Sequence, residues 1–233
     1  MKNLYKKEIA YYLNNPIGYI VVILFAVFAN FLFVKDIFVV GSASMRPFFS
    51  FLPWLFLVFV PALTMRILSE EKRVNTLEVL LTLPVSETQV VLAKFFALLT
   101  VAAVGLLLTI GLPISLSLIT KIYLPEIASG YAGSILLAGL FISLSIFFSA
   151  MTKNQVVAFL GSVITIFFLL VLGTDFTANV LPGAIHDVFV YLSPFNHLDN
   201  FVKGVIDFRS MFYFISLIAM FLFLTIVDLE KRG

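Results

Sequence analysis

The sequence predicts an all-α integral membrane protein of six transmembrane helices, with a surface helix before the first span and shorter helices between spans. Three observations predict it. Hydrophobic residues make up 61% of the 233 and charged residues 12%, with a mean hydropathy of +1.11; soluble chains average about half apolar and a quarter charged. The apolar residues fall in runs near the roughly 20 needed to cross a hydrocarbon core. Charge gathers in one stretch, residues 66–94, which holds Arg66, Glu70, Glu71, Lys72, Arg73, Glu78, Glu87 and Lys94. Six spans and their connections fill the chain, so residues 1–233 form a single transmembrane domain with no room for a soluble catalytic domain.

Residues 2–15 mix Lys2, Lys6 and Lys7 with Leu4, Tyr5, Ile9, Tyr12 and Leu13 at helical spacing, which predicts an amphipathic helix on the membrane surface. Asn15 and Pro16 form a cap and first-turn pair, and the first span follows over residues 17–34. A cleaved signal peptide shares the basic start, but this apolar run is long and no small-residue cleavage site follows it. Lys35, Asp36 and the run Gly41, Ser42, Ala43, Ser44 make an external loop. The second span covers residues 47–65, where Pro53 and Pro61 each remove a backbone hydrogen bond and are expected to bend it. The third covers 95–119. An external loop over 121–130 contains Pro125 and Glu126, and the fourth span runs over 131–151. There Gly139 and Ser143 form a small-xxx-small pair suited to close helix packing. A tight turn at 152–155 leads to the fifth span, 156–173. Residues 174–210 are too polar to cross a bilayer and too apolar for a solvated loop, which predicts two short interfacial or re-entrant helices, the second opened by Ser193 and Pro194. The sixth span covers 211–227, with Asp228 an interfacial residue beside Lys231 and Arg232.

The distribution of Lys and Arg orients the bundle. Ten of the 15 basic residues fall on the side that holds residues 1–15, 66–94, 152–155 and the tail, against Lys35, Arg46, Lys121, Lys203 and Arg209 on the other. The charged stretch and both termini are therefore expected in the cytoplasm.

Within that stretch, Asn75 with Glu78 three residues on, and Val74 with Val79, carry the signals of a capped and stapled helix start. Pro84 stops the helix after about two turns, so Leu77, Leu80 and Leu81 share one face. Ser86 with Gln89, and Val85 with Val90, start a second helix that runs through Lys94 into the third span. A solvated connection with an interfacial helix accounts for part of this pattern. The mixed-sign cluster Glu70, Glu71, Lys72 and Arg73 beside an apolar face is the composition of a docking surface, with an apolar centre and a charged rim.

The residues Met65, Arg66, Ser69 to Arg73, Thr76, Leu77, Glu78, Leu80, Leu81, Thr82, Pro84, Val85 and Lys94 resemble the cytoplasmic signature of ABC-2 type exporter permeases. A second stretch, with Ser193, Pro194, Phe195, His197, Leu198, Phe201, Lys203, Gly204, Val205, Ile206 and Asp207, is similar to the gliding-motility-associated permeases of that family. Asn75 departs from the Gly usual before Thr-Leu-Glu, yet Asn also adopts the left-handed conformation. The resemblance implies a six-span half transporter in a bacterial cytoplasmic membrane, pairing with a second permease copy or a related subunit. It also implies a coupling helix between spans two and three that docks on a cytoplasmic ATPase through Glu70, Glu71, Arg73, Thr76, Leu77, Glu78, Leu80 and Leu81. ATP and Mg would then be bound by that partner and no cofactor by this chain.

Other chemistry is poorly represented. No GxxxxGK[ST] phosphate loop occurs, and no catalytic residue is expected. The spans carry no carboxylate pair or Ser/Lys pair, which argues against intramembrane catalysis and ion-coupled transport. The absence of Cys removes thiolate chemistry, and a net charge of +2 with dispersed basic residues argues against nucleic acid. His186 and His197, near Asp187 and Asp199, are read as interfacial hydrogen-bonding groups before a metal or proton site. Most of the 27 Phe residues are expected to face lipid or neighbouring helices, though a Phe-rich internal surface would suit an apolar or amphiphilic substrate. Besides a permease, the layout admits a membrane scaffold anchoring a motility or cell-envelope machine, and less readily a channel, for which no ring-forming charged motif is visible.

Overall fold

The computed structural model describes residues 1–40, 44–76, 85–119, 123–172 and 183–231, and the described residues are helical throughout, without strands. In chain order the helices are α1 (Lys2–Asn14), α2 (Pro16–Val40), α3 (Arg46–Thr64), α4 (Ser69–Arg73), α5 (Glu87–Leu107), α6 (Gly111–Ile119), α7 (Leu124–Met151), α8 (Gln155–Val171), α9 (Gly183–Leu192), α10 (Pro194–Val202) and α11 (Phe208–Glu230). Among the described residues five stretches are long and apolar enough to cross a membrane: Pro16–Lys35, Arg46–Arg73, Glu87–Leu118, Leu124–Met151 and Phe208–Glu230. The expected fifth span corresponds to Gln155–Val171, which is apolar but shorter.

The core is built around α7. Of its apolar window 72% is buried, against 28% for α2 and for α11, and it packs on α3, α5, α8, α10 and α11. Phe49, Leu52, Phe56, Leu98, Leu137, Phe141, Phe201 and Phe214 fill the space between these helices. Small residues on α7 permit the approach. A Cβ on Gly133 would lie 2.6 Å from Phe201 Cβ, and one on Gly139 would lie 3.1 Å from Ile218 Cδ1.

The helices differ from the sequence reading in three places. α2 runs on to Val40, so Lys35 and Asp36 lie in the helix and not in a loop. α7 starts at Leu124, so Pro125 and Glu126 form its first turn and are not part of a loop; Pro at the start and an acid near the positive helix end both favour this. Glu126 is fixed there by Arg46 Nε at 3.0 Å and by the Ser44 hydroxyl at 3.1 Å. The helix that enters the third span starts at Glu87, as the Ser86 and Gln89 signals predict, with the Ser86 hydroxyl capping α5 by accepting from the Gln89 N–H. It is, however, broken at residues 108–110. There Thr109 N bonds to Leu106 O and Ile110 N to Leu107 O, a tightened three-residue pattern, and the Thr109 hydroxyl donates to Leu106 O and meets Tyr131 Oη at 2.9 Å.

The short helices expected between the last two spans are α9 and α10. Ser193 caps α10, its hydroxyl accepting from Phe195 N, and Pro194 takes the first helical position. α10 turns His197, Leu198, Phe201 and Val202 into the bundle, and its C-terminal end is held to α7 where the Ser129 hydroxyl donates to Phe201 O at 2.7 Å. The N-terminal helix α1 packs on α5 and α2, with Tyr5 Oη 2.9 Å from Thr100 Oγ1.

Candidate functional site

The charged stretch becomes a structured end of the bundle, and its geometry starts from a chain break. α3 stops at Thr64, the chain turns over residues 65–68, and α4 restarts at Ser69. A turn in this buried place exposes backbone groups that need partners. Ser149 of α7 supplies them: its hydroxyl accepts from Leu68 N and Ser69 N and donates to Met65 O, each at 3.1 Å.

α4 then sorts its charges by side. Half-buried Glu70 pairs through Oε1 with exposed Arg73 at 3.3 Å. Glu71 and Lys72 turn inward. Lys72 Nζ donates to Ala150 O at the end of α7 and pairs with Asp228 near the end of α11 at 3.2 Å. Glu71 Oε1 meets Lys94 Nζ at 2.7 Å, and the same ammonium reaches Glu8 Oε1 of α1 at 3.0 Å and Ile67 O at 3.2 Å. The Lys94 side chain is 2% exposed. Beside it, Tyr12 donates to Leu63 O; burial first and then the neighbouring Glu8 push its phenol well above the usual range, so it remains a donor. A cavity of about 310 Å3 borders this cluster, lined among others by Lys7, Glu8, Arg66, Glu70, Glu71 and Thr76. Arg66 Nε and the Oε2 atoms of Glu70 and Glu71 are buried here without a hydrogen-bond partner among the described residues.

α4 ends at Arg73 with Val74 as its C-cap, followed by Asn75 with φ +57°, the left-handed conformation that Asn tolerates and that often closes a helix. Thr76 donates from Oγ1 to Glu71 O at 3.4 Å. Of the expected coupling residues, Glu70, Glu71, Arg73 and Thr76 therefore lie together at this end; Leu77, Glu78, Leu80 and Leu81, with the expected helix over 76–83, lie outside the described residues. Gly139 and Ser143 sit away from this end, within α7, where the Ser143 hydroxyl donates to Leu140 O.

Sequence reasoning missed the roles of Glu8, Lys72, Lys94 and Asp228. Two signals existed: Glu8 stands one turn before Tyr12 on the apolar side of α1, and Lys94 interrupts an apolar run. Among the described residues no group of three or more His, Asp or Glu comes together as a metal site. His197 stacks on Tyr213 at 4.0 Å, with Nε2 2.9 Å from Tyr191 O and Nδ1 3.2 Å from Ser210 Oγ; Asp199 pairs with Lys203. The side chains of His186 and Asp187 lie outside the described residues.

Long apolar helices joined at one end by a charged, ion-paired turn define an integral multi-pass membrane protein. The sequence pattern of the family described as ABC-2 family transporter protein matches residues 2–227. The chain belongs to that family, a family of transporter membrane components. The match does not single out the gliding-motility subgroup. No curated protein sequence matches the chain.

Proposed function

We propose that this chain is the permease subunit of an exporter-type ABC transporter in a bacterial cytoplasmic membrane, driven by a separate cytoplasmic ATPase that binds ATP and Mg. The observation that carries the reading is the family match over nearly the whole chain. Supporting it, the turn and α4 over residues 65–73 present Arg73, paired with half-buried Glu70, outward while Glu71 and Lys72 engage helices inward. A surface with that arrangement receives a partner on one side and passes displacement to membrane helices on the other. The working transporter needs two permease halves, a second copy or a related subunit, around a path for the substrate.

The experiment is co-purification with the candidate ATPase, followed by nucleotide hydrolysis in lipid nanodiscs. Glu70→Lys with Arg73→Glu, and separately Glu78→Lys, are expected to weaken the complex and to lower the permease-dependent part of ATP hydrolysis. Complexes and stimulated hydrolysis that survive both sets of substitutions would reject the docking assignment.

A further inference from the structure

We infer that Lys94 is the positioning residue that binds the ATPase-facing segment, the N-terminal helix and the third membrane helix into one moving body. The inference rests on the docking role given above to residues 66–76.

An ammonium has three donors, and here each acceptor belongs to a different piece of chain: Glu8 Oε1 on α1, Ile67 O in the turn after α3, and Glu71 Oε1 on α4. The cation itself rides on α5, with Val90, Val91, Phe95 and Leu98 buried on the same helix. Little water reaches it, so its attraction to both carboxylates is weakly screened. Pulling any acceptor away would strand a buried charge, which is strongly unfavourable. Displacement of residues 67–71 is therefore transmitted to α5 and α1 before the bonds part. The cavity beside α4 is lined by Glu8, Glu71 and Lys94 as well as by Arg66 and Glu70, so the cluster itself borders open space.

Loss of Lys94 leaves the Glu8 and Glu71 carboxylates without their cation, so a structural and a transmitting role both predict looser packing in the chain alone; they differ in whether movement of residues 66–76 still reaches α1 and α5. The test uses the full chain in nanodiscs and follows amide hydrogen exchange with Lys94→Met, Lys94→Arg and Glu8→Gln. In the chain alone, Lys94→Met is expected to speed exchange in residues 2–14 and 66–76 together by at least about tenfold, as when a charge-assisted contact between elements is lost, with α7 and α11 unchanged. Glu8→Gln is expected to loosen residues 2–14 with a smaller effect on 66–76, and Lys94→Arg to retain part of the protection of both. Unchanged exchange in Lys94→Met overturns the proposal whatever the ATPase does. With the ATPase and ATP plus vanadate, the wild type is expected to change exchange in 66–76, α1 and the first turns of α5 together, and Lys94→Met in 66–76 alone. An undiminished response of α1 and α5 in that variant also overturns it. Failure of the docking reading shows separately, as complexes indifferent to Glu70 and Arg73.

Discussion

Ser145 and Ser149 stand one turn apart on α7, both buried, and the same substitution is expected to act in opposite directions. Ser149 holds three backbone groups of the turn between α3 and α4. Ser149→Ala leaves two N–H groups without partners in a dry place, at a cost of about 1–3 kcal/mol each before relaxation. Ser145 Oγ has no hydrogen-bond partner among the described residues, so Ser145→Ala is expected to be neutral or stabilising by up to about 1 kcal/mol. Thermal unfolding of both variants in one detergent checks this: a lowered midpoint for Ser149→Ala and an equal or raised one for Ser145→Ala. Equal lowering in both would remove the claim that Ser149 braces the turn. Neither role was legible in the sequence, where both serines read as small polar residues of one span. Lys94 was half legible, since a cation in an apolar run announces a partner; which carboxylate answers depends on how α1 lies on α5, and that is a tertiary fact.

At the scale of elements, starts and stops were the legible part because their causes are local. Ser86 and Ser193 cap α5 and α10 through their own hydroxyls, and the chain carries those signals within three residues. The start of α7 at Leu124 was also written locally, in Pro125 and Glu126, but their polarity was read as loop. Contacts between helices were less legible. Gly139 and Ser143 were singled out by spacing, yet the tighter approach is at Gly133, where an added methyl would meet Phe201 Cβ at 2.6 Å, an atom tied to the α10 backbone. At Gly139 the nearest atom is the Ile218 terminal methyl at 3.1 Å, which can turn aside. Gly133→Ala is therefore expected to destabilise by about 1–3 kcal/mol through overpacking. Gly139→Ala is expected within about 1 kcal/mol of neutral, because the helical preference of Ala offsets a small repacking cost. Midpoints of unfolding in the two variants decide, and a Gly139→Ala change as large as that of Gly133→Ala would shift the critical contact from α10 to α11.

For the whole molecule, the ion pairs and hydrogen bonds identify which helix ends share a side. Glu8 of α1, Glu71 and Lys72 of α4, Ala150 of α7 and Asp228 of α11 meet around Lys94 and Lys72. Ser129, near the other end of α7, holds Phe201 of α10, and Glu126 holds Arg46. Between Ala150 and Phe201 the chain passes from the first side to the second. The described helix along that path that runs beside α3 is α8, with Phe167 against Trp54. At 17 residues it is about 25 Å long, shorter than a typical hydrocarbon core, and by length and composition five crossings are found among the described residues. Cationic residues favour the α4 side as cytoplasmic. The natural absence of Cys makes this testable by single substitutions at exposed positions, Arg73→Cys, Lys153→Cys and Lys203→Cys, labelled in intact cells with an impermeant maleimide. Lys203→Cys is expected to react from outside, and Arg73→Cys and Lys153→Cys only after the membrane is opened. If positions 153 and 203 react from the same side, α8 does not cross and the six-span expectation fails. If all three react with the opposite sidedness, the crossings stand and the bundle is inverted, which would place α4 out of reach of any cytoplasmic ATPase and remove the basis of the proposed function.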